Sequence, residues 1–285
     1  MGKYRKILVA IDGSLSSMHA LRESLKFAEN EKSWMTVVSV IPPYLGDLDT
    51  TAMGNVMASI RKPCEDALAN AVSIANEAKI MIRTVCEEGE THERIVDLAD
   101  AENFDLIVMG RRGQKRLEKV LVGSVTARVI GYSHTDVLVV PMGTNVGWKK
   151  ILVATDGSRF SEAAAAKAID FAKAYGGQLM IVSVVDVPAE FYGESPETWD
   201  NLVTQAKVFV EKIAQQAEAS GVKTQAIVKE AETWKSIVEL AEEHKADTII
   251  MGSHGRTGLK RLLMGSVTEK VIGHAPCPVL VVKGD

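Results

Sequence analysis

Lys6-Ile-Leu-Val-Ala-Ile-Asp12-Gly13-Ser14 returns 144 residues later as Lys150-Ile-Leu-Val-Ala-Thr-Asp156-Gly157-Ser158. A second pair, Asp105-Leu-Ile-Val-Met-Gly110 and Asp247-Thr-Ile-Ile-Met-Gly252, stands 142 residues apart. The two offsets differ by two residues, so the halves align end to end. A period this long marks a duplicated domain, since a solenoid would repeat every ~20–50 residues. Within each half, short β-branched apolar runs alternate with longer segments of helical period. Strands are expected at about 6–11, 34–40, 80–86, 105–110 and 136–140, and again at about 150–155, 178–185, 222–228, 247–252 and 278–283. Helices at about 160–175, 197–220, 233–245 and 266–273 separate the second set, and the first half matches. Strands apolar on both faces and separated by helices define a parallel sheet covered on both sides.

The expected fold is therefore α/β, with two tandem doubly wound, Rossmann-like domains of five parallel strands, at 1–143 and 148–285. The junction Gly143-Thr-Asn-Val-Gly-Trp148 is short, so the halves should pack together. Val137–Val140 and Val279–Val282 are fifth strands whose exposed edges would invite pairing. Burying one against the other makes an intramolecular pseudo-dimer the expected arrangement, and a further homodimer is compatible with it.

Composition narrows the function. With 33 Lys+Arg against 37 Asp+Glu the chain has no basic excess for nucleic acid, and the acidic surplus is shared equally by the halves. No apolar stretch approaches the ~20 residues of a membrane span, and the N-terminal segment carries no secretory cleavage pattern. Cys64, Cys86 and Cys277 are odd in number and widely spaced, which signals neither a disulfide framework nor a zinc site. Each is expected as a small buried hydrophobe in a reducing cytoplasm.

In doubly wound sheets ligands sit at the carboxyl ends of the strands. After the fourth strand of the second half comes Gly252-Ser-His-Gly255, then nine residues, then Gly265-Ser266. The first half repeats the spacing as Gly110-Arg-Arg-Gly113 and Gly123-Ser124. Glycines permit positive φ and close approach of phosphate oxygens to the main chain, and the helix that follows turns its N–H groups toward an anion. Ser266 with Glu269 reads as a capping box, which the first half lacks because Ala127 replaces the glutamate. His254, Arg256, Lys260 and Arg261 are candidates for additional phosphate contacts, or simply a solvated face. On the cap, the second site is expected to be the more faithful of the two. The alternative reading of the glycines is a tight turn that serves only packing.

The G-x2-G-x9-G-[ST] motif, the Ile-Leu-Val-Ala-x-Asp-Gly-Ser opening and the closing Pro278-Val-Leu-Val-Val282 resemble the universal stress protein family, in its tandem form, over nearly the whole chain. The resemblance implies ATP as ligand, with or without Mg. The aspartate after the first strand and a residue after the second would contact adenosine, and the glycine motif would hold the phosphates. Carried over, it selects Asp12, Val40, Gly110, Gly113, Gly123 and Ser124 in the first half. In the second it selects Asp156, Val184, Gly252, Gly255, Gly265 and Ser266. A carboxylate at a strand end can accept from ribose hydroxyls or an adenine amine, and equally suits an Asx-turn or helix cap.

No Walker A lysine, GxGxxG, G-x-S-x-G or H-E-x-x-H is present, and His254 alone could serve as a base. The leading expectation is a cytoplasmic ATP-binding stress-response regulator that acts through an unidentified protein partner, without nucleic acid or membrane. A weak ATPase and a nucleotide-free interaction scaffold are the alternatives. Segments 42–54 and 187–196 are expected to cover the nucleotide or present a partner surface. The pseudo-dimer predicts that the two halves, expressed separately and mixed, associate in analytical ultracentrifugation. Stable monomers without mutual affinity would overturn it.

Overall fold

The computed structural model describes residues 4–43, 53–113, 122–186, 196–255 and 264–284, without the side chains of 53–57 and 196–198. The chain divides into two compact units at Gly143 and Thr144. The first unit runs β1 (Lys6–Ala10), α1 (Leu15–Glu31), β2 (Trp34–Ile41), α2 (Met53–Glu77), β3 (Arg83–Glu88), α3 (Thr91–Ala101), β4 (Leu106–Gly110), α4 (Ser124–Tyr132) and β5 (Asp136–Val140). The second runs β6 (Lys150–Ala154), α5 (Arg159–Tyr175), β7 (Gln178–Val185), α6 (Pro196–Ala219), β8 (Lys223–Glu230), α7 (Thr233–Glu243), β9 (Thr248–Gly252), α8 (Ser266–His274) and β10 (Val279–Val282). Within the first unit the strand order is β3-β2-β1-β4-β5, and within the second β8-β7-β6-β9-β10, with parallel neighbours throughout. The expected architecture is present in each unit. The third strand starts at Arg83 where periodicity suggested 80, because residues 78–80 close the end of α2, with Ile80 N–H donating to the Ala75 carbonyl.

Strand β1 is central in its sheet, and Ile7, Leu8 and Val9 are fully buried. The residues after it start α1 as the sequence dictates. Ser14 is the N-cap, accepting from Ser17 N–H at 3.2 Å, and Ser158 does the same for α5 from Ser161 N–H at 3.3 Å. Gly13 and Gly157, at φ 77° and 76°, make the left-handed step that turns each strand into its helix.

The duplicated cores have diverged. Tyr4 is buried in the first unit and donates its hydroxyl to Asp136 Oδ2 at 2.7 Å. Trp148 takes the matching place in the second, stacked on Phe171 with ring centroids 4.0 Å apart, and Pro278 stands where Asp136 does. Trp148, the first residue of the expected second domain, thus belongs to the second core.

The cysteines overturn one expectation. Cys64 on α2 and Cys86 on β3 are joined as a disulfide with Cα atoms 6.7 Å apart, because α2 packs across β2 and β3. Their 22-residue spacing carried no sign of this contact. Cys277 is a buried free thiol, as expected.

Burial, and then the charge of Asp136, push the Tyr4 hydroxyl well above its ordinary pKa of 10.0. The neutral phenol is the form that the fold favours, so this contribution is whole below pH ~10 and declines as the unfolded chain ionises above it. Tyr4→Phe should cost about 1–3 kcal/mol at neutral pH in urea unfolding. It should also flatten the loss of stability above pH ~10 relative to the unaltered chain.

Candidate functional site

In each unit the strand order reverses between the first and fourth strands, so the loops that leave their carboxyl ends diverge to opposite faces of the sheet. In the first unit this crevice opens into a cavity of about 590 Å³. Its wall contains all six first-half positions singled out from the sequence: Asp12, Val40, Gly110, Gly113, Gly123 and Ser124. Ile11, Ile41, Ile60 and Ile95 supply apolar surface, and Arg112 supplies charge. The volume lies within the range of small-molecule sites.

Asp12 is held by its own turn. Its Oδ1 accepts from Ser14 N–H at 3.0 Å, and its backbone N–H donates to Ser17 Oγ at 3.3 Å. The Asx-turn is therefore real, and it occupies one carboxylate oxygen. The other, Oδ2, lies against Gly113, where a Cβ would stand 2.5 Å from it. Asp156 repeats this arrangement, accepting from Ser158 N–H at 3.0 Å while Oδ2 lies 2.8 Å from the Cβ position of Gly255. The loops after the first and fourth strands thus meet through one aspartate and one glycine in both units.

The motif glycines work by close approach. None of Gly110, Gly113, Gly123, Gly252, Gly255 and Gly265 has positive φ; that conformation sits at Gly13 and Gly157 instead. A Cβ on Gly110 would meet Ser16 Oγ at 2.5 Å and the Ser16 carbonyl carbon at 2.9 Å. On Gly252 it would meet the Phe160 Cβ at 2.7 Å and carbonyl carbon at 2.8 Å. These two glycines let the first helix of the unit seat on the fourth strand, so packing is a definite part of their work. Gly123 N–H donates to the Arg111 carbonyl, and Gly265 N–H to the Ser253 carbonyl, both at 2.9 Å.

The capping box does not form. Gly265 is the N-cap of α8, Ser266 is already the first helical residue, and no side chain caps the helix. Gly123 begins α4 in the same way. Glu269 N–H bonds to the Gly265 carbonyl as the first rung of the ladder, which leaves Glu269 one position too far along to close a box. Both helices thus present uncapped first-turn N–H groups beside the glycine loop. Thr126 Oγ1 and Thr268 Oγ1 tie these first turns to the Gly110 and Gly252 carbonyls at 3.1 and 3.0 Å. The cap-based advantage of the second site disappears.

Charge separates the copies. Arg112 lines the first cavity with its Nε buried and, among the described residues, without a hydrogen-bond partner. Burial, and then the adjacent Arg112 charge, hold the Arg111 guanidinium below its ordinary pKa. In the second unit His254 takes the corresponding place, its Nδ1 3.1 Å from Ser253 Oγ and its ring 5.5 Å from that of Phe160. Val184 keeps its place near the end of β7, and the ring of Phe209 packs directly on Gly157, beside Asp156. Arg256, Lys260 and Arg261 lie outside the described residues, as do 44–52 and 187–195 of the two expected covering segments. Pro42 lines the cavity. Sequence reasoning missed Pro63, Cys64, Thr91 and Ile95, which also line it, because helix packing alone brings them there.

Two duplicated doubly wound domains, each with a glycine loop and an aspartate at the switch point, define the class of protein. The profile of the universal stress protein family matches residues 3–141 and 147–283, and the chain belongs to that family, in its two-domain form. It is similar to a universal stress protein of Methanocaldococcus jannaschii, 43% identical over 141 residues that cover 48% of this chain and 82% of that one. A universal stress protein of Mycolicibacterium smegmatis is 29% identical over 97% of this chain and 96% of its own. The crystal structure of a universal stress protein from Archaeoglobus fulgidus shares the fold, with a TM-score of 0.76 and 24% identity over 100% of this chain and 98% of that one. Among the described residues no helix is long and apolar enough to cross a membrane.

Gly110→Ala and Gly252→Ala should each lower stability by about 1–3 kcal/mol in ligand-free urea unfolding, since a methyl group there meets helix backbone. Unchanged stability would show that the helices reseat freely.

Proposed function

We propose that this protein binds ATP and acts as a nucleotide-dependent regulator in the cytoplasm, with the cavity of the first unit as its better site. The observation that carries this reading is the buried Arg112 Nε, without a partner among the described residues, set in a cavity that also gathers Asp12, Gly113, Gly123 and Ser124. Asp12 Oδ2 suits ribose hydroxyls, and Val40 with Ile41 suits the apolar face of adenine. Phosphates fit beside Gly113, Gly123 and Ser124, where uncapped α4 N–H groups and the Arg112 guanidinium offer donors. A bound Mg would offset triphosphate charge, held chiefly by the nucleotide itself. In the second unit Asp156, Val184, Gly252, Gly255, Gly265 and Ser266 form a site of the same plan, with His254 in place of Arg112. The aromatic ring of Phe209 against Gly157 favours the first site over the second.

Isothermal titration with ATP and adenosine tests the reading. Arg112→Ala should weaken ATP about tenfold and adenosine hardly at all, since a charge-assisted contact is lost only from the phosphates. Equal losses for both ligands would remove Arg112 from the phosphate site, and no binding of ATP by the unaltered chain would end the proposal.

A further inference from the structure

The first cavity has a feature that the second unit lacks. Cys64, 4% exposed, forms part of the cavity wall, and its disulfide partner Cys86 lies on β3, the edge strand, in an exposed position. Cys86 stands in register with Ser39, and Ser39 and Val40 also line the cavity. The bond thus links solvent at the sheet edge to the wall of the proposed nucleotide site. In the second unit Val228 stands in register with Ser183, as Cys86 does with Ser39. Ala206, 22 residues before Val228, holds the buried position of Cys64. The cysteine pair therefore belongs to one copy of the duplication, and the fold stands without it in the other.

We infer that Cys64 and Cys86 form a reversible thiol–disulfide couple that controls ligand affinity at the first cavity, an inference that rests on the nucleotide reading above. The chemistry needs a small-molecule disulfide as oxidant. The thiolate of Cys86, on the edge strand, attacks one of its sulfurs and expels a small thiolate, leaving a mixed disulfide on Cys86. The Cys64 thiolate then attacks Cys86 Sγ and expels the second small thiolate. Two protein thiols lose two electrons and two protons, and the oxidant becomes two thiols. A dithiol reductant reverses the exchange, entering at Cys86 on the edge strand with Cys64 as the leaving thiolate.

The physical link to affinity is α2. Pro63 has no N–H for the helical ladder, and Ile60, Pro63 and Cys64 all face the cavity. With the bond closed, this stretch of helix is tied to β3 and the wall is preorganised. With the bond open, a ligand must order it and loses affinity accordingly. Linkage makes the effect reciprocal: a nucleotide that prefers the closed form makes the disulfide harder to reduce by the same factor. Cys277 takes no part, since burial pushes its thiol up to about 12.

The test uses the full chain treated with oxidised glutathione or with reduced dithiothreitol and freed of it. Alkylation with iodoacetamide followed by peptide mass spectrometry reads the bond, and calorimetric titration with ATP reads the site. Oxidised chain should leave Cys64 and Cys86 unalkylated and bind ATP at the first site about fivefold or more tighter than reduced chain. The variant Cys64→Ala/Cys86→Val, which copies the residues of the second unit, should bind equally in both treatments. Failure of the pair to close under oxidant, or reduced chain that binds as tightly as oxidised, overturns this inference alone. Absence of ATP binding in every sample overturns the nucleotide reading and this inference with it, while alkylation still reports whether the couple closes.

Discussion

Parallel pairing is the constraint on which the rest of each unit depends. A parallel strand pair cannot be joined by a tight turn, so every connection crosses the sheet as a helix, and every loop that leaves a strand's carboxyl end emerges along one edge. With the order reversing between β1 and β4, loops from both strands border one crevice. Asp12 after β1 and Gly113 after β4 are about a hundred residues apart in the chain, and they touch for this reason. The fully buried β1 residues that hold the sheet together also fix the position of the site.

The glycine motif does two kinds of work within that frame. Gly110 and Gly252 stand where the backbone of the first helix comes within 3.0 Å of a Cβ position, and their small size permits helix and strand to meet. Gly113 and Gly255 face the aspartate, and Gly123 and Gly265 start a helix whose first turn no side chain caps. Packing and recognition therefore use neighbouring members of one short motif. A glycine in it cannot be assigned to phosphate from sequence spacing alone.

The two copies show how much a fixed scaffold lets its sites vary. Tyr4 with Asp136 and Trp148 with Phe171 fill the same end of the core by different means, one a buried hydrogen bond and the other stacked rings. The disulfide of the first unit has apolar residues in its place in the second, and Arg112 gives way to His254. Phe209 rests on Gly157, whereas the matching position of α2 holds Ala67. The changes at Cys64 and Arg112 alter the lining or the charge of the crevice, and all of them leave the ladder of parallel strands as it was.

The duplication, the parallel α/β architecture, nearly all element positions and the six first-half residues that share a cavity were legible in the sequence. The fold depends on local regularities, apolar runs of strand length, helical period and a repeat that presents each of them twice, while glycine spacing marked the loops and the family resemblance selected the six residues. The conformation of the motif glycines, the place of Glu269 beyond the reach of a box, the orphaned Arg112 Nε and the bond between Cys64 and Cys86 were decided by tertiary structure. Each depends on how far one helix slides and turns over the sheet before side chains from distant segments interlock. Hydrophobic period fixes which face of a helix is buried, but leaves that seating to the packed whole.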